Sequence, residues 1–203
     1  MVYIFDNIDL LNEDFFNRLK PLLSAQRLDK VERMRTAPAV RASITAYVLL
    51  RIALLEEYGI NEAVIFTFGG NNKPYLKDYP HIFFSLSHSQ NSVACVVAGN
   101  EAGIDIQKTK AVNKKLAKRV LTKDEYSKFL SADEPNDYFC EIWTVKESFL
   151  KKTGDGITKE LRDIPAALVE NLKTIKGTDY YCSVCGADAK VKYVGRDDFE
   201  KLL

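Results

Sequence analysis

The sequence is poor in the residues that build thiolate metal sites and disulfide scaffolds. It contains 4 cysteines and 2 histidines among 203 residues. Cys182 and Cys185 form a CxxC pair, but no second pair of ligands accompanies it, and both histidines lie far away in sequence. A structural zinc site needs four such ligands. The residues therefore weigh against a zinc or redox role and predict reduced, structural thiols.

The chain also lacks a signal peptide and an unbroken apolar run of the ~20 residues that a membrane span needs. Its formal net charge is +1, which argues against a protein that acts mainly through a global electrostatic field. Apolar residues make up 46% of the chain and aromatic residues 11%, which is ample for a packed core. We therefore expect a soluble globular protein of the cytoplasm.

Hydrophobic periodicity and turn residues predict a mixture of helices and strands. The predicted strands are 2–5, 63–68, 83–87, 92–98 and 103–107, and the predicted helices are 12–23, 24–34, 39–58, 122–130 and 137–152. The remainder of the chain is broken by Pro and Gly and predicts short antiparallel strands. This order indicates an α+β architecture in two comparable halves, 1–99 and 100–203, with the hinge near Gly99.

Polar side chains lie together on one face of the predicted strand 103–107. Alternation places Ile104 and Ile106 on one face of that strand, which leaves Asp105 and Gln107 on the other. One face therefore offers a carboxylate and an amide oxygen side by side.

The predicted helix 137–152 carries a second polar face. Its apolar stripe consists of Ile142, Val145 and Phe149. Glu147 lies outside that stripe, one turn before Lys151. We therefore expect the Glu147 carboxylate to point away from the core.

If the strand and the helix meet, their oxygen ligands suit Mg²⁺. The ligands would be Asp105, Glu147 and Gln107, with Lys146 and Lys151 beside them to take phosphate charge. That is the chemistry of a magnesium-bound phosphoanhydride. Plainer interpretations stay open on the residues alone, since a Glu and a Lys four apart often form a solvated helix pair.

The two segments resemble the signature pair of the 4′-phosphopantetheinyl transferases, in the longer, single-chain type of surfactin-synthetase activators. A Gly-Ile-Asp strand is followed by W-T-x-K-E-S-x-x-K at 143–151, which matches at every fixed position. Residues 84–89 are similar to the family's strand ending in Ser-His-Ser, and 73–76 to its Gly-Lys-Pro segment, with Asn72 in place of the glycine. The similarity runs from Arg27 to Gly156.

The resemblance implies a fold of two similar α/β halves related by a pseudo-twofold axis, with the site in the cleft between them. It implies transfer of the 4′-phosphopantetheine arm of coenzyme A to a serine of an apo acyl or peptidyl carrier protein. The reaction would depend on Mg²⁺ and release adenosine 3′,5′-bisphosphate. A monomer is expected, without nucleic acid or membrane partners.

The resemblance also implies roles for individual residues. Asp105, Gln107 and Glu147 would hold Mg²⁺. Glu147, directly or through a water, would remove the serine proton, and Lys151 would stabilise the departing bisphosphate. Gln107 stands where many relatives carry an acidic residue, so we expect a weaker metal affinity. The implied contacts of coenzyme A are Arg41, Lys73, Pro74, Ser87, His88, Lys146 and Lys151, with Arg27 and Lys30 as further candidates.

Basic residues are concentrated between 108 and 128, a segment that contains eight Lys and Arg but only two acidic residues. A solvated helix face explains this stretch, and so does a landing site for an acidic carrier protein. Two other functions stay open. A non-catalytic coenzyme A- or carrier-binding protein would bind coenzyme A without labelling a carrier. A basic adaptor or nucleic-acid-binding protein would ignore coenzyme A and lose affinity steeply with salt.

Overall fold

Two β-sheets lie face to face between outer helices in the computed structural model of the chain, which describes residues 1–156, 160–187 and 190–203. The strands are β1 (Val2–Phe5), β2 (Phe66–Phe68), β3 (Pro74–Leu76), β4 (Phe83–Ser89), β5 (Ser92–Ala98), β6 (Gly103–Lys108), β7 (Leu172–Lys176), β8 (Tyr180–Cys185) and β9 (Val191–Tyr193). The helices are α1 (Glu13–Leu19), α2 (Ala25–Glu32), α3 (Ala37–Tyr58), α4 (Lys114–Val120), α5 (Lys123–Ser131), α6 (Pro135–Thr153) and α7 (Arg196–Glu200). The predicted α+β class is confirmed.

The first sheet has the strand order β4-β5-β1-β9, and α3 covers its outer face. Strand β5 is apolar along its length and buried on both sides, as its continuous hydrophobic run predicted. Helix α3 is long and apolar enough to cross a membrane by length and composition, but 72% of its most apolar window is buried inside this fold. It is therefore the core helix of the first half.

The second sheet is antiparallel, with the order β6-β8-β7, and α6 packs on its outer face. Its inner face meets the first sheet through an apolar layer that includes Ile104, Ile106 and Cys182. Cys182 and Cys185 are three residues apart on β8, so alternation turns them to opposite faces and they cannot share one metal ion. Both thiols are free.

The end of the chain returns to the first half. Strand β9 pairs in parallel with β1, with Val2 opposite Val191, and Phe199 of α7 is fully buried in the core under α3. These last residues of the predicted half 100–203 therefore pack with the first sheet, while the division of the chain at 99 stays a prediction. The predicted antiparallel pairing holds for β7 and β8 alone among the described strands that follow α6. A three-residue strand is too short to carry a period-2 signal.

A row of serine hydroxyls, which we call the serine seam, joins β4 to β6. Its members are every second residue of β4: Ser85, Ser87 and Ser89. The hydroxyl of Ser85 accepts from the Ile104 amide at 3.2 Å, and that of Ser89 accepts from the Lys108 amide at 3.0 Å. The edge of β6 thus finds hydrogen-bond partners in side chains of β4, although the two strands belong to different sheets.

Gly103 is where α6 approaches β6 most closely. A Cβ atom there would lie 2.0 Å from the Ser148 carbonyl oxygen and 2.4 Å from the Lys152 nitrogen, both backbone atoms of α6. Only a residue without a side chain lets helix and strand come this close. The tight approach is what sets the Asp105 strand against the Glu147 helix.

We expect Gly103→Ala to destabilise the protein by about 3 kcal/mol, because α6 must shift outward to admit the methyl group. Urea unfolding followed by circular dichroism measures this change. Gly99→Ala is the matched control, since nothing lies within 4 Å of the position its Cβ would take. Equal unfolding midpoints for the two variants would contradict the contact.

Candidate active site

Asp105 lies at the centre of the polar site. Its side chain points from β6 towards α6 and is 6% exposed. One carboxylate oxygen, Oδ1, accepts hydrogen bonds from the Ser87 hydroxyl and from the Lys151 ammonium, each at 2.7 Å. Ser87 of the serine seam and Lys151 of α6 therefore both bind the same buried carboxylate. Hydrogen bonds to an ionised group are short and strong, and these two fix the orientation of Asp105.

Glu147 stands one helical turn before Lys151 and lines a cleft of about 310 Å³ between the two halves. Burial raises the pKa of the Glu147 carboxyl, and the negative charge of Asp105 raises it further, while Lys151 acts in the opposite direction. The two carboxylates are thus close enough to repel each other, and one ammonium does not balance both charges. Such a pair favours the arrival of a cation.

Gln107 follows Asp105 on the same face of β6, as predicted. Its amide nitrogen donates to the Ser89 hydroxyl at 3.1 Å and to the Lys108 carbonyl at 3.2 Å. The side-chain oxygen has no hydrogen bond within the described residues, so it is available as a ligand. The described residues contain no cluster of three His, Cys, Asp or Glu suited to a metal. Two carboxylates with one amide oxygen still fit Mg²⁺, which keeps several waters and shares phosphate oxygens of a substrate.

A basic pocket of about 570 Å³ opens beside the cleft, with Arg27, Lys30 and His88 in its walls. The guanidinium of Arg27 lies 5.2 Å from the ring centre of Tyr47 and 5.1 Å from that of Phe66, which fixes its position. Desolvation, followed by the charges of Lys151 and Lys30, lowers the pKa of His88. The pocket is therefore positive and suits an anionic ligand.

Lys73 and Pro74 lie in the wall of the cleft opposite α6, where the sequence predicted a contact with nucleotide. The Lys73 ammonium is bonded to the Glu101 carboxylate and to the Lys152 carbonyl oxygen. Its charge is thus engaged within the protein, although the segment itself borders the cleft.

Lys146 lies elsewhere than predicted. Its side chain is fully buried, and the ammonium donates to Glu125 at 2.5 Å and to the Val120 carbonyl oxygen at 2.8 Å. The same Glu125 carboxylate accepts from the Ala166 amide at 2.8 Å. Neighbours in a helix differ by about 100° in direction, so Lys146 faces α5 while Glu147 faces the cleft. This corrects the predicted placement of Lys146 beside the phosphates.

Arg41 lies outside the basic pocket. Its guanidinium pairs with Glu13 at 3.1 Å and lies over the ring of Phe16, both on α1. Arg27, Lys30 and His88 line the basic pocket, whereas Arg41 does not. The contact of Arg41 with coenzyme A stays a prediction, and a helix pattern does not tell which neighbour a basic residue will face.

Sequence reasoning missed several residues that position the site. These are Ser85, Ser89, Glu101, Gly103 and Glu125. The alternation of serines along β4 was a usable signal for the seam. A capping box places Glu125 at the start of α5, but the pairing of Glu125 with Lys146 spans 21 residues and leaves no local pattern.

Comparison with known proteins identifies the family of the chain. Residues 101–194 match the profile of the 4′-phosphopantetheinyl transferase superfamily. The chain is 34% identical over 164 residues to the 4′-phosphopantetheinyl transferase ffp of Bacillus subtilis, covering 79% of this chain and 73% of that protein. It is 36% identical over 157 residues to the 4′-phosphopantetheinyl transferase psf-1 of Bacillus pumilus, covering 76% and 67%.

Two further proteins belong to the same comparison. The 4′-phosphopantetheinyl transferase Sfp of Bacillus subtilis strain 168 is 32% identical over 154 residues, covering 74% of this chain and 69% of that protein. The solved holo-[acyl-carrier-protein] synthase of Thermotoga maritima aligns with a TM-score of 0.31 and 16% identity, over 41% of this chain and 60% of that one.

The cleft with its carboxylate pair and the matched relatives together define an enzyme of the transferase class. The chain belongs to the 4′-phosphopantetheinyl transferase superfamily, among the members that resemble Sfp of Bacillus. The predictions of family and enzyme class are confirmed. The pseudo-twofold relation of the halves stays a prediction.

We expect Lys146→Met to destabilise the protein by about 3 kcal/mol, because it leaves the Glu125 carboxylate buried without its cation. Replacing both residues, with Lys146→Met and Glu125→Gln, should recover part of that loss. Urea unfolding at neutral pH measures both. Lys128→Met on exposed α5 surface is the control, and a Lys146 variant as stable as this control would contradict the buried pair.

Proposed function

We propose that this enzyme transfers the 4′-phosphopantetheine arm of coenzyme A to a serine hydroxyl of an apo acyl or peptidyl carrier protein. The observation that carries the proposal is the cleft in which Glu147 and Lys151 adjoin the buried Asp105 carboxylate. The names of its relatives support the same reaction. The bond broken is the phosphoanhydride of coenzyme A, and adenosine 3′,5′-bisphosphate leaves.

Coenzyme A would occupy both cavities. The cleft and the basic pocket share Asn72, Pro74 and Leu86 in their walls, so one extended ligand can pass from the first into the second. The charges of Arg27 and Lys30, with His88 as a hydrogen-bond donor beside them, suit the phosphates on the adenosine side. The pyrophosphate would then lie towards Asp105, where charge neutralisation matters most for phosphoryl transfer.

Asp105, Glu147 and the amide oxygen of Gln107 would hold Mg²⁺. When bound, the ion supplies positive charge that neutralises the phosphoryl oxygens. Lys151 sits on the Asp105 carboxylate at 2.7 Å and can turn towards the leaving bisphosphate from there, since its side chain is 30% exposed. Ser87 keeps the carboxylate oriented through its own hydrogen bond.

Glu147 would accept the proton of the attacking serine. Burial raises the pKa of Glu147, which makes the free carboxylate a stronger base, and when it ligates Mg²⁺ it would take the proton through a water. Holding the serine oxygen beside the phosphorus atom supplies the rest of the rate, through positioning.

Further properties belong to the same proposal. The exposed basic side chains of α4, Lys114, Lys115, Lys118 and Arg119, offer charge complementary to an acidic carrier protein. We propose a cytoplasmic monomer, for which the four free, buried cysteines and the presence of both sheets in one chain are the supports.

We expect Glu147→Ala to lower transfer at least about 100-fold, because the proposed base and a metal ligand are both lost. The assay is incubation with fluorescent coenzyme A, Mg²⁺ and a panel of apo carrier proteins, read on a gel. Glu141→Ala on the same helix is the control. Full labelling by the Glu147 variant would refute the assignment of this residue.

Thermal unfolding distinguishes a catalytic role of Glu147 from a role in stabilising the fold. The folded state raises the pKa of Glu147 above its unfolded value, so the contribution of this group to stability falls as pH rises through that interval. Glu147→Gln keeps the side chain neutral and should unfold at neutral pH at no lower temperature than the wild type. Mg²⁺ should raise the unfolding temperature of the wild type more than that of the variant.

Gln107→Glu should lower the Mg²⁺ concentration that gives half the maximal rate, because a third carboxylate strengthens the site for a divalent cation. Titration of Mg²⁺ against labelling, and against the unfolding temperature, measures this. Gln90→Glu in the exposed β4–β5 turn is the control for added charge. An unchanged Mg²⁺ dependence would show that this side chain is not a ligand.

A further inference from the structure

Glu101 connects the turn before β6 to the opposite wall of the cleft. One oxygen of its carboxylate accepts from the Lys73 ammonium, and the other accepts from the Tyr75 hydroxyl at 3.4 Å. Lys73 and Tyr75 flank Pro74, which lines the cleft. A single carboxylate therefore holds the residues on both sides of a cleft-lining proline.

The same wall is bonded to the end of α6. The Lys73 ammonium also donates to the Lys152 carbonyl oxygen, and the Asn71 side chain donates to the Gly154 carbonyl oxygen at 2.9 Å. Carbonyl oxygens at a helix C-terminus are unpaired within the helix and attract cations. The segment 71–75 of the first half is thus fixed to the second half at the mouth of the cleft.

The Lys73 ammonium serves to bond the segment 71–75 to Glu101 and to the end of α6, as its burial and its partners indicate. The Lys73 side chain is 9% exposed, whereas that of Glu101 is 44% exposed. A largely buried ammonium that already has a carboxylate and a carbonyl partner gains little from a distant phosphate and loses two hydrogen bonds by moving. Glu101 reaches it from the solvent side.

We propose that Glu101 is a positioning residue for coenzyme A, which sets the wall of the cleft by clamping Lys73 and Tyr75 around Pro74. The proposal rests on the proposed function, since it concerns the same cleft. It predicts that removal of Glu101 weakens the binding of coenzyme A. A carboxylate that merely competed with phosphate for Lys73 would weaken binding of coenzyme A, whereas a clamp strengthens it.

The test is the Michaelis constant of coenzyme A in the carrier-labelling assay, with the affinity for coenzyme A measured by calorimetry alongside. Glu101→Ala should raise KM for coenzyme A about threefold and weaken its binding equally, with kcat and the KM for the carrier close to wild type. Glu101→Gln should raise this KM by less than Glu101→Ala does, because its single amide oxygen can still accept from the Lys73 ammonium, although the acceptor for the Tyr75 hydroxyl is lost. Lys73→Met should match Glu101→Ala, and combining Glu101→Ala with Lys73→Met should add nothing further.

The control is Glu200→Gln, since Glu200 is 43% exposed and pairs with Arg196 on α7. A lower or unchanged KM for coenzyme A in Glu101→Ala overturns the proposal, and so does an additive double variant. Wild-type protein that binds coenzyme A but labels no carrier contradicts the proposed function, and calorimetry still decides the role of Glu101. Wild-type protein that does not bind coenzyme A overturns both.

Discussion

The hydrogen bonds to the Asp105 carboxylate are the constraint on which the site depends. An ionised carboxylate at 6% exposure is costly unless donors meet it. Those donors come from two other elements, Ser87 on β4 and Lys151 on α6. The first sheet, the second sheet and helix α6 therefore cannot separate without leaving a buried charge unpaired. Gly103, two residues earlier, permits the approach that makes these bonds possible.

The negative charge of the site is only partly compensated by the protein. Asp105 and Glu147 carry like charges near each other, and Lys151 offsets only part of their repulsion. The Lys146–Glu125 pair is satisfied by contrast, since the Lys146 ammonium also donates to the Val120 carbonyl oxygen and the Glu125 carboxylate also accepts from the Thr122 and Ala166 amides. Lys146 and Glu147 are neighbours on α6, so this helix contributes both to a satisfied ion pair, which stabilises the fold, and to an unbalanced carboxylate pair, which marks the candidate active site.

Strand alternation and helical spacing correctly predicted which side chains share a face of one element. Alternation along β6 placed Asp105 and Gln107 on one face, and helical spacing placed Glu147 and Lys151 together, all as observed. Partner choice across the fold was not predictable in the same way. Lys146 was assigned to the cleft although it faces α5, and periodicity carries no information about which element will cover a given face. The family resemblance supplied the function that the pattern alone left open.

Strand β9 has a consequence for how the protein is made. β1 is synthesised before the strands that flank it, yet one of its edges is covered only by residues 191–193, far along the chain. Until then the nascent first half exposes unpaired backbone groups along β1 and lacks Phe199 from its core. The first sheet is therefore completed only after residues 191–199 have been synthesised, long after β1, so it closes late in co-translational folding.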